Sequence, residues 1–322
     1  MSINPKYVPL AATAVVLLGL YAVGCCLYPA FGTARVLVNL LGDNAFLGIA
    51  AIGATFVILS GGIDLSVGSS IAFTGIYIAK LLQLGCDPVW TMLSALAIGT
   101  CGGALMGALI HFFELPPFLV TLAGLFLLRG FSFVVYRESI PIEHPFYAAL
   151  LPQLSVVVAP KAVLPFTAIC FLLATVAGTY LAAFTRFGRN VYAIGSNETS
   201  ARLMGLPIGA TKMGTYALAG FFSALAGIVS TFYMQSGNPA SFVGLELDAI
   251  AAVVIGGTLL TGGVGFLPGT LMGVLILGLI QTLITFNGSL NSWWTRIVIG
   301  GLLLVFIVLQ KLISRRSGIG HG

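Results

Sequence analysis

The chain has 322 residues, of which 58% are apolar and only 7% charged, with 41 glycines and a mean hydropathy of +1.08. A soluble domain carries about 25% charged residues, because it must cover its core with polar surface, so most of this surface faces lipid. Disorder, collagen and coiled coil are excluded by the same composition, and the formal charge of +5 reads as a membrane-topology signal rather than a nucleic-acid footprint.

Ten apolar runs are long enough to cross a bilayer, and ten spans of about 20 residues would consume about 200 residues. The remainder suffices only for loops, so no soluble catalytic domain is expected and residues 1–322 form one membrane domain. The first run, 8–28, has no small-residue cleavage signature near its end and reads as a retained span rather than a signal peptide. It carries Cys25 and Cys26, which with Cys86, Cys101 and Cys170 lack the spacing and histidine partners of a metal site. They read as core packing, with an external pairing of Cys86 to Cys25 or Cys26 as the alternative.

The second run, 41–60, ends in the densest unusual stretch of the chain, Ser60-Gly61-Gly62-Ile63-Asp64-Leu65-Ser66-Val67-Gly68-Ser69, and the third follows at 66–84. Glycines here permit a helix break, and Asp64 can cap a helix beginning at Leu65 by accepting from its free N–H groups. The other reading makes Asp64 part of a gate or a solute contact, since an ionisable group near the membrane interior is costly without a role. No Gly-Lys-[Ser/Thr] follows, so the stretch is not a phosphate-binding loop.

Further runs lie at 90–111, 117–136, 162–184, 213–235, 246–262, 267–286 and 293–312. Arg129 sits inside the fifth span, where it either snorkels to the interface or pairs. Residues 137–161 hold Pro141, Pro145, Pro152 and Pro160 among short apolar pieces and read as an external loop with interfacial turns. The segment 186–212 is polar. Ser196 or Asn197 can cap a short helix through Glu198, Thr199, Ser200, Ala201, Arg202, Leu203 and Met204, with Gly205-Leu206-Pro207 stopping it. Two turns are not stable alone in water, so this helix needs either the membrane surface or a partner's groove.

Ten spans put both termini on one side, and placing them in the cytoplasm collects Lys6, Arg186, Arg189, Arg202, Lys212, Lys311, Arg315 and Arg316 there. Arg35, Lys80, Arg137, Lys161 and Arg296 fall outside, which satisfies the positive-inside bias. An internal repeat supports a transporter: Ile49–Ser70 aligns with Ile250–Leu271, matching Leu59/Leu260, Gly61/Gly262, Gly62/Gly263 and Gly68/Gly269. Lipid tolerates broken helices only where protein or a water-filled cavity satisfies the freed backbone, as around a solute pathway.

For that pathway the sequence offers Asn44, Phe56, Asp64, Gln235 and Asn238, with Glu246, Asp248, Phe242, Trp293 and Trp294 near external span ends. Amides and carboxylates suit sugar hydroxyls and aromatic faces suit the ring, although such tryptophans also form interfacial belts. His111, His144 and His321 lie near ends or loops, and no nucleophile–base pair or metal cluster presents itself.

Four motifs carry a resemblance. These are Ser60–Gly68, Pro116–Gly124 with Arg129-Gly130, Ala193–Glu198, and Glu246–Thr258; in this order they resemble the ribose-type sugar permeases of ATP-binding-cassette importers, over about Ala45 to Arg316. Within that family Thr33–Val36, Asp43–Gly48, Glu138–Ile142 and Ser292–Thr295 are most similar to permeases for galactofuranose. Ser196 departs from the family, which usually has a second glycine there.

The resemblance implies an all-α polytopic permease domain with about ten spans and glycine-broken helix pairs, in a bacterial inner membrane. It implies import of a monosaccharide by alternating access, with a coupling segment at about 186–212 that uses Asn197, Glu198, Thr199, Ala201, Arg202 and Gly205 against an ATPase. The implied partners are that cytoplasmic ABC ATPase, which holds ATP and Mg, a periplasmic sugar-binding protein, and a second homologous permease; this chain needs no cofactor of its own. Ribose, xylose or an autoinducer sugar are the alternative solutes. An ion-coupled secondary transporter is the alternative mechanism, though few intramembrane ionisable groups are present to serve it.

Overall fold

A computed structural model describes residues 8–288 and 293–317. Lys6, Ser292 and His321 lie outside the described residues. The helices in chain order are α1 (Val8–Leu27), α2 (Ala34–Asp43), α3 (Ala45–Leu59), α4 (Val67–Gln83), α5 (Pro88–Phe112), α6 (Pro117–Val135) and α7 (Pro145–Gln153). They continue with α8 (Phe166–Phe184), α9 (Arg186–Ser196), α10 (Glu198–Leu203), α11 (Ile208–Met234), α12 (Leu245–Ile255), α13 (Leu267–Asn287) and α14 (Trp293–Ser317). Four short strands, β1 (Ile140–Pro141), β2 (Val156–Ala159), β3 (Ala162–Leu164) and β4 (Ser236–Gly237), pair as β1–β4 and β2–β3, both antiparallel.

Among the described residues seven helices are long and apolar enough to cross a membrane, or eight if α2 and α3, bent by 55° at Asn44, count as one span. The expected spans at 66–84 and 246–262 correspond to α4, of 17 residues, and α12, of 11, which fall short of that length. Both border a glycine break, and the break takes up the missing turns. Residues 137–161 contain no span, as expected, but are more ordered than a loop: β1, α7 and the β2–β3 hairpin occupy them. Tyr147 of α7 fixes this unit to α11 by a 2.9 Å hydrogen bond to Thr231 and by stacking on Phe232 at 4.3 Å.

The core is built around α3, whose residues are all buried except Phe46, and α8, α11, α12 and α13 pack about it. Every face of α3 is apolar, which suits a helix enclosed by protein. On the outside, α1, α5, α6 and α14 turn residues such as Val15, Leu105, Val134 and Leu304 outward, as a lipid-facing surface requires. The described cysteines are all free, so the alternative pairing of Cys86 is not formed.

Helix starts follow local chemistry. Asp87 accepts from Val89 N–H at 2.9 Å and Trp90 N–H at 3.1 Å, with Pro88 in the first turn of α5. Thr185 does the same for α9 by accepting from Gly188 N–H at 3.1 Å. This helix was not expected within the polar segment 186–212. Its signal is the threonine cap followed by Gly188, Val191 and Ile194, which recur at helical spacing and are buried.

The most extensively packed helix pair is α5 with α11, where Gly99, Gly103 and Gly107 line one face of α5 against Met213, Tyr216 and Gly220. A methyl group on Gly103 would overlap the Tyr216 carbonyl and stand 3.2 Å from Ala217 Cα. Small residues at this spacing let helix backbones touch, which is how helices associate where lipid supplies no hydrophobic drive. Gly102, one residue away, has open space around it. Gly103→Val should therefore destabilise the purified subunit by at least about 1–3 kcal/mol, whereas Gly102→Val should not approach that loss. Thermal unfolding of both variants in detergent checks the contrast, and equal melting temperatures would refute the packing assignment.

Candidate functional site

Two glycine breaks interrupt the apolar helices, and each begins as a helix terminus. At the first, Gly61 N–H donates to Ile58 O at 2.9 Å and Gly62 N–H to Val57 O at 3.0 Å. At the second, Gly257 N–H donates to Val254 O at 2.9 Å and Thr258 N–H to Val253 O at 3.2 Å. This paired pattern ends a helix through a residue with positive φ, here Gly61 at +84° and Gly257 at +92°. Aligning the two repeats pairs Leu59 with Leu260, yet α12 stops at Ile255, so the second break is longer. The aligned pair Gly61 and Gly262 share φ +84°, but Gly263 is at +74° while its aligned partner Gly62 is not in the positive region, and the glycine that ends the helix as Gly61 does is Gly257.

The breaks touch each other. Gly263 N–H donates to Leu59 O at 2.9 Å, and a methyl group on Gly262 would stand 2.9 Å from Gly61 N and from Gly195 O. Gly195, near the end of α9, lies so close to Leu59 O that a Cβ would overlap it, and that Cβ would also be 2.7 Å from Gly263 N. Ser196 lies against Gly263 in turn. The four helix-break residues Gly61, Gly62, Gly262 and Gly263 thus meet at one junction, with α9 as its third member.

Other elements satisfy the carbonyls that the breaks release. Thr13 of α1 donates to Ile255 O at 2.6 Å, Gln310 of α14 to Val254 O at 3.0 Å, Thr121 of α6 to Ile63 O at 3.2 Å, and Tyr192 of α9 to Gly265 O at 2.8 Å. In a non-aqueous interior each such bond replaces one that water would otherwise make. Burial raises the Tyr192 phenol above its ordinary value, so it remains a donor at neutral pH. These four side chains were missed in the sequence, where the available signal was a hydroxyl or amide inside an apolar run.

Asp64 is 3% exposed and accepts at Oδ1 from Ser66 N–H at 2.8 Å and from Ser66 Oγ–H at 2.7 Å. It does not cap a helix starting at Leu65: α4 begins at Val67 with Ser66 in the cap position, so Asp64 orders the residue before the helix instead. Close by, the Tyr216 hydroxyl abuts Gly62 and has no hydrogen-bond partner among the described residues. Arg129 is paired: its guanidinium donates to Pro239 O at 2.5 Å and Ser241 O at 2.8 Å, holding the loop between α11 and α12.

Beyond the junction, α10 projects from the end of α9. Asn197, not Ser196, is its cap, accepting from Ser200 N–H at 2.8 Å, and Met204 follows its last residue. Glu198 pairs with Lys212 of α11 at 2.7 Å and with Arg202 at 3.5 Å. Thr199, Arg202 and Gly205 are exposed, whereas Ala201 is fully buried and packs on Ile194, Leu206 and Ile208. Leu203, 85% exposed, and Met204, 68% exposed, leave an uncovered apolar tip.

At the opposite end lies a cleft of about 710 Å³ between α3, α12, α13 and α14, lined among others by Asn44, Asp248, Gln281, Thr285, Trp293 and Arg296. Of the five expected pathway residues only Asn44 lines it. Phe56 is fully buried with its ring 6.2 Å from that of Phe187, and Asp64 is enclosed at the junction. Gln235 ends α11 at φ +49°, and the Asn238 amide oxygen accepts from Ala240 N–H at 2.8 Å, so both order the Arg129-held loop. Among the described residues no group of His, Cys, Asp and Glu is arranged to hold a metal.

The family model described as the permease component of the branched-chain amino acid transport system matches residues 36–307. Among curated proteins the chain is 51% identical to the inner membrane ABC transporter permease protein YjfF of Escherichia coli K12, covering 92% of this chain and 91% of that protein. It is 36% identical to the ribose import permease RbsC of the same organism, covering 92% of each. The fructose import permease FruG of Bifidobacterium longum is 35% identical over 98% of this chain and 94% of its own length. No solved structure matches the chain.

The junction yields a stability test at Asp64. Removing the carboxylate leaves two buried Ser66 donors unpaired, so Asp64→Ala should cost about 1–3 kcal/mol. Asp64→Asn keeps an acceptor oxygen and should cost clearly less. Denaturant or thermal unfolding of the detergent-solubilised subunit measures both, and equal losses would show that the negative charge, rather than the hydrogen bonding, is what the site requires.

Proposed function

The chain belongs to the permease-component family of the branched-chain amino acid transport systems, and from that premise we propose how it works: as the membrane-spanning subunit of an ATP-driven importer that carries a monosaccharide inward by alternating access. It is a multi-pass membrane protein and, like its relatives, a permease rather than an enzyme. The observation that carries the mechanism is the placement of α10. An exposed helix with an apolar tip stands directly on α9, whose end is packed into the junction of both helix breaks. A push on α10 therefore reaches the two places where the span backbone bends.

The partner at α10 is an ABC ATPase, which binds ATP and Mg, and Thr199, Arg202, Leu203 and Met204 face it. Arg186, Arg189, Arg202 and Lys212 cluster at this end and favour a cytoplasmic placement in a bacterial inner membrane. The start of α1 belongs to the same end, with Pro9 against Gly257. The polar cleft around Asn44, Asp248, Gln281, Trp293 and Arg296 then opens toward the periplasm. Its amides, charges and aromatic face suit sugar hydroxyls and ring, received from a periplasmic binding protein.

A pathway needs a second wall, and a second homologous permease supplies it. The solute is galactofuranose on the strength of the segments Thr33–Val36, Asp43–Gly48 and Glu138–Ile142. Ribose and fructose, named for two relatives, support a different sugar as the second reading.

Coupling is tested at the tip of α10. The Arg202–Glu198 pair is solvent-exposed and adds little stability, so Arg202→Glu and Leu203→Asp should both fold. Each should lower sugar-stimulated ATP hydrolysis of the assembled complex by about tenfold, by setting a repulsive or desolvated charge against the ATPase. Normal stimulation in both variants would remove α10 from the interface. For the solute and the pairing, reconstituted uptake is decisive: this chain with ATPase and binding protein but no second permease should not take up galactofuranose. Robust uptake without that subunit would overturn the heterodimer, and equal uptake of pyranose-locked galactose by the full complex would overturn the furanose preference.

A further inference from the structure

We infer that Tyr192 is a positioning residue for transport: its hydroxyl ties α9 to the second helix break at Gly265, so that α9 and the break between α12 and α13 move as one body when α10 is driven. This deepens the reading above and rests on it.

Three observations carry the inference. First, α9 is seated in the core on its N-terminal side, with Gly188 packed against the Ala182 carbonyl and Phe187 against Phe56 of α3, so it can act as a rigid link. Second, its contact with the first break is backbone on backbone, Gly195 against Leu59 O, where a side chain plays no part. Third, its contact with the second break has a directed element: Tyr192 O–H donates to Gly265 O at 2.8 Å, about two turns after the helix cap Thr185 and about one turn before the end of α9.

The two breaks differ in length and in which helices hold them. The first is short and closes on itself, with Ser60 Oγ–H donating to Val57 O at 2.7 Å and Asp64 engaging Ser66. The second runs from Gly256 to Phe266, contains Gly257, Gly262, Gly263 and Gly265, and leaves the buried Thr258 hydroxyl unpartnered among the described residues. The second break also closes on itself, with Leu259 N–H donating to Val264 O at 2.9 Å and Gly262 N–H to Leu259 O at 3.0 Å, so it is a longer, glycine-rich unit that an outside tie can move as a piece. The carbonyls of Val254 and Ile255 at the end of α12 and of Gly265 within the break are held by α14, α1 and α9 respectively, and of these helices only α9 continues directly into α10. A displacement of α10 therefore reaches both breaks through the packing of Gly195 and Ser196 on Leu59, Gly262 and Gly263, and Tyr192 adds the directed bond that ties the far side of the second break, at Gly265, to the same helix.

Tyr192→Phe keeps the ring and removes only the bond. In proteoliposomes holding the complete complex, with galactofuranose as the probe, the variant should hydrolyse ATP in response to loaded binding protein. It should, however, consume about fivefold more ATP per sugar taken up, the range expected for losing one buried hydrogen bond from the driven state. A loss of folding alone would lower both rates together and leave their ratio unchanged. Spin labels at the exposed positions Arg189 and Leu260 give a second readout. Their separation should stay constant in the wild type on adding ATP and vanadate, and should broaden or shift in the variant. A variant with the wild-type ratio and the wild-type distances overturns the inference alone. A wild-type complex in which ATP hydrolysis drives uptake of neither galactofuranose nor ribose nor fructose overturns the coupling reading as well.

Discussion

A polypeptide that leaves helical geometry inside a bilayer releases N–H and C=O groups that no water is present to satisfy. In this protein the constraint applies twice, at residues 60–66 and 256–266, and much of the architecture answers it. Helix ends close on themselves through glycines, Thr13, Thr121, Tyr192 and Gln310 reach in from four other helices, and the two breaks bond to each other at Gly263 and Leu59. Apolar packing gathers α8, α11, α12 and α13 around α3, and these polar contacts tie α1, α6, α9 and α14 to the breaks.

Glycine is indispensable at this junction for space rather than for flexibility alone. Gly195 meets Leu59 O so closely that any Cβ would overlap, and a Cβ on Gly262 would stand only 2.9 Å from Gly61 N and Gly195 O. Three backbones converge where ordinary helix packing would keep axes 8–10 Å apart, a general figure for helices bearing side chains. Backbones packed this closely leave no room for one member to shift without its neighbours. The same close approach along α5 and α11, at Gly103 and Gly220, has the opposite consequence, because those helices are long and unbroken and form a fixed wall.

The two polar ends of the molecule are linked by α3 and its neighbours. Asn44, at the start of α3, lines the cleft and donates from its side-chain amide to Leu40 O at 2.8 Å, while Leu59, at the other end of α3, accepts from Gly263. The core rod of the protein thus begins at the cleft and finishes at the junction beside α9. Asp248 of α12 lines the cleft as well, and the same helix ends in the second break. Alternating access needs a link of this kind, in which a shape change at one end alters the opening at the other.

Much of this was legible locally. Apolar run length located most of the spans, paired glycines located both breaks, and an amide cap followed by Glu198 located α10, because each of these signals is written in consecutive residues. The repeat of a helix followed by a glycine break was visible for the same reason, but its register was not, since the second helix ends at Gly257 and not at the residue aligned with Gly61. Other features depended on partners distant in the chain. The kink at Asn44, the early end of α12, the burial of Phe56 and Ala201, and the role of Asp64 before α4 are set by what packs against them. So are the four side chains that serve the broken backbone. Composition and periodicity state which groups a segment must bury; they do not state which carbonyl, some two hundred residues away, will meet a given N–H, and the tertiary structure alone brings Gly263 to Leu59 and Tyr192 to Gly265.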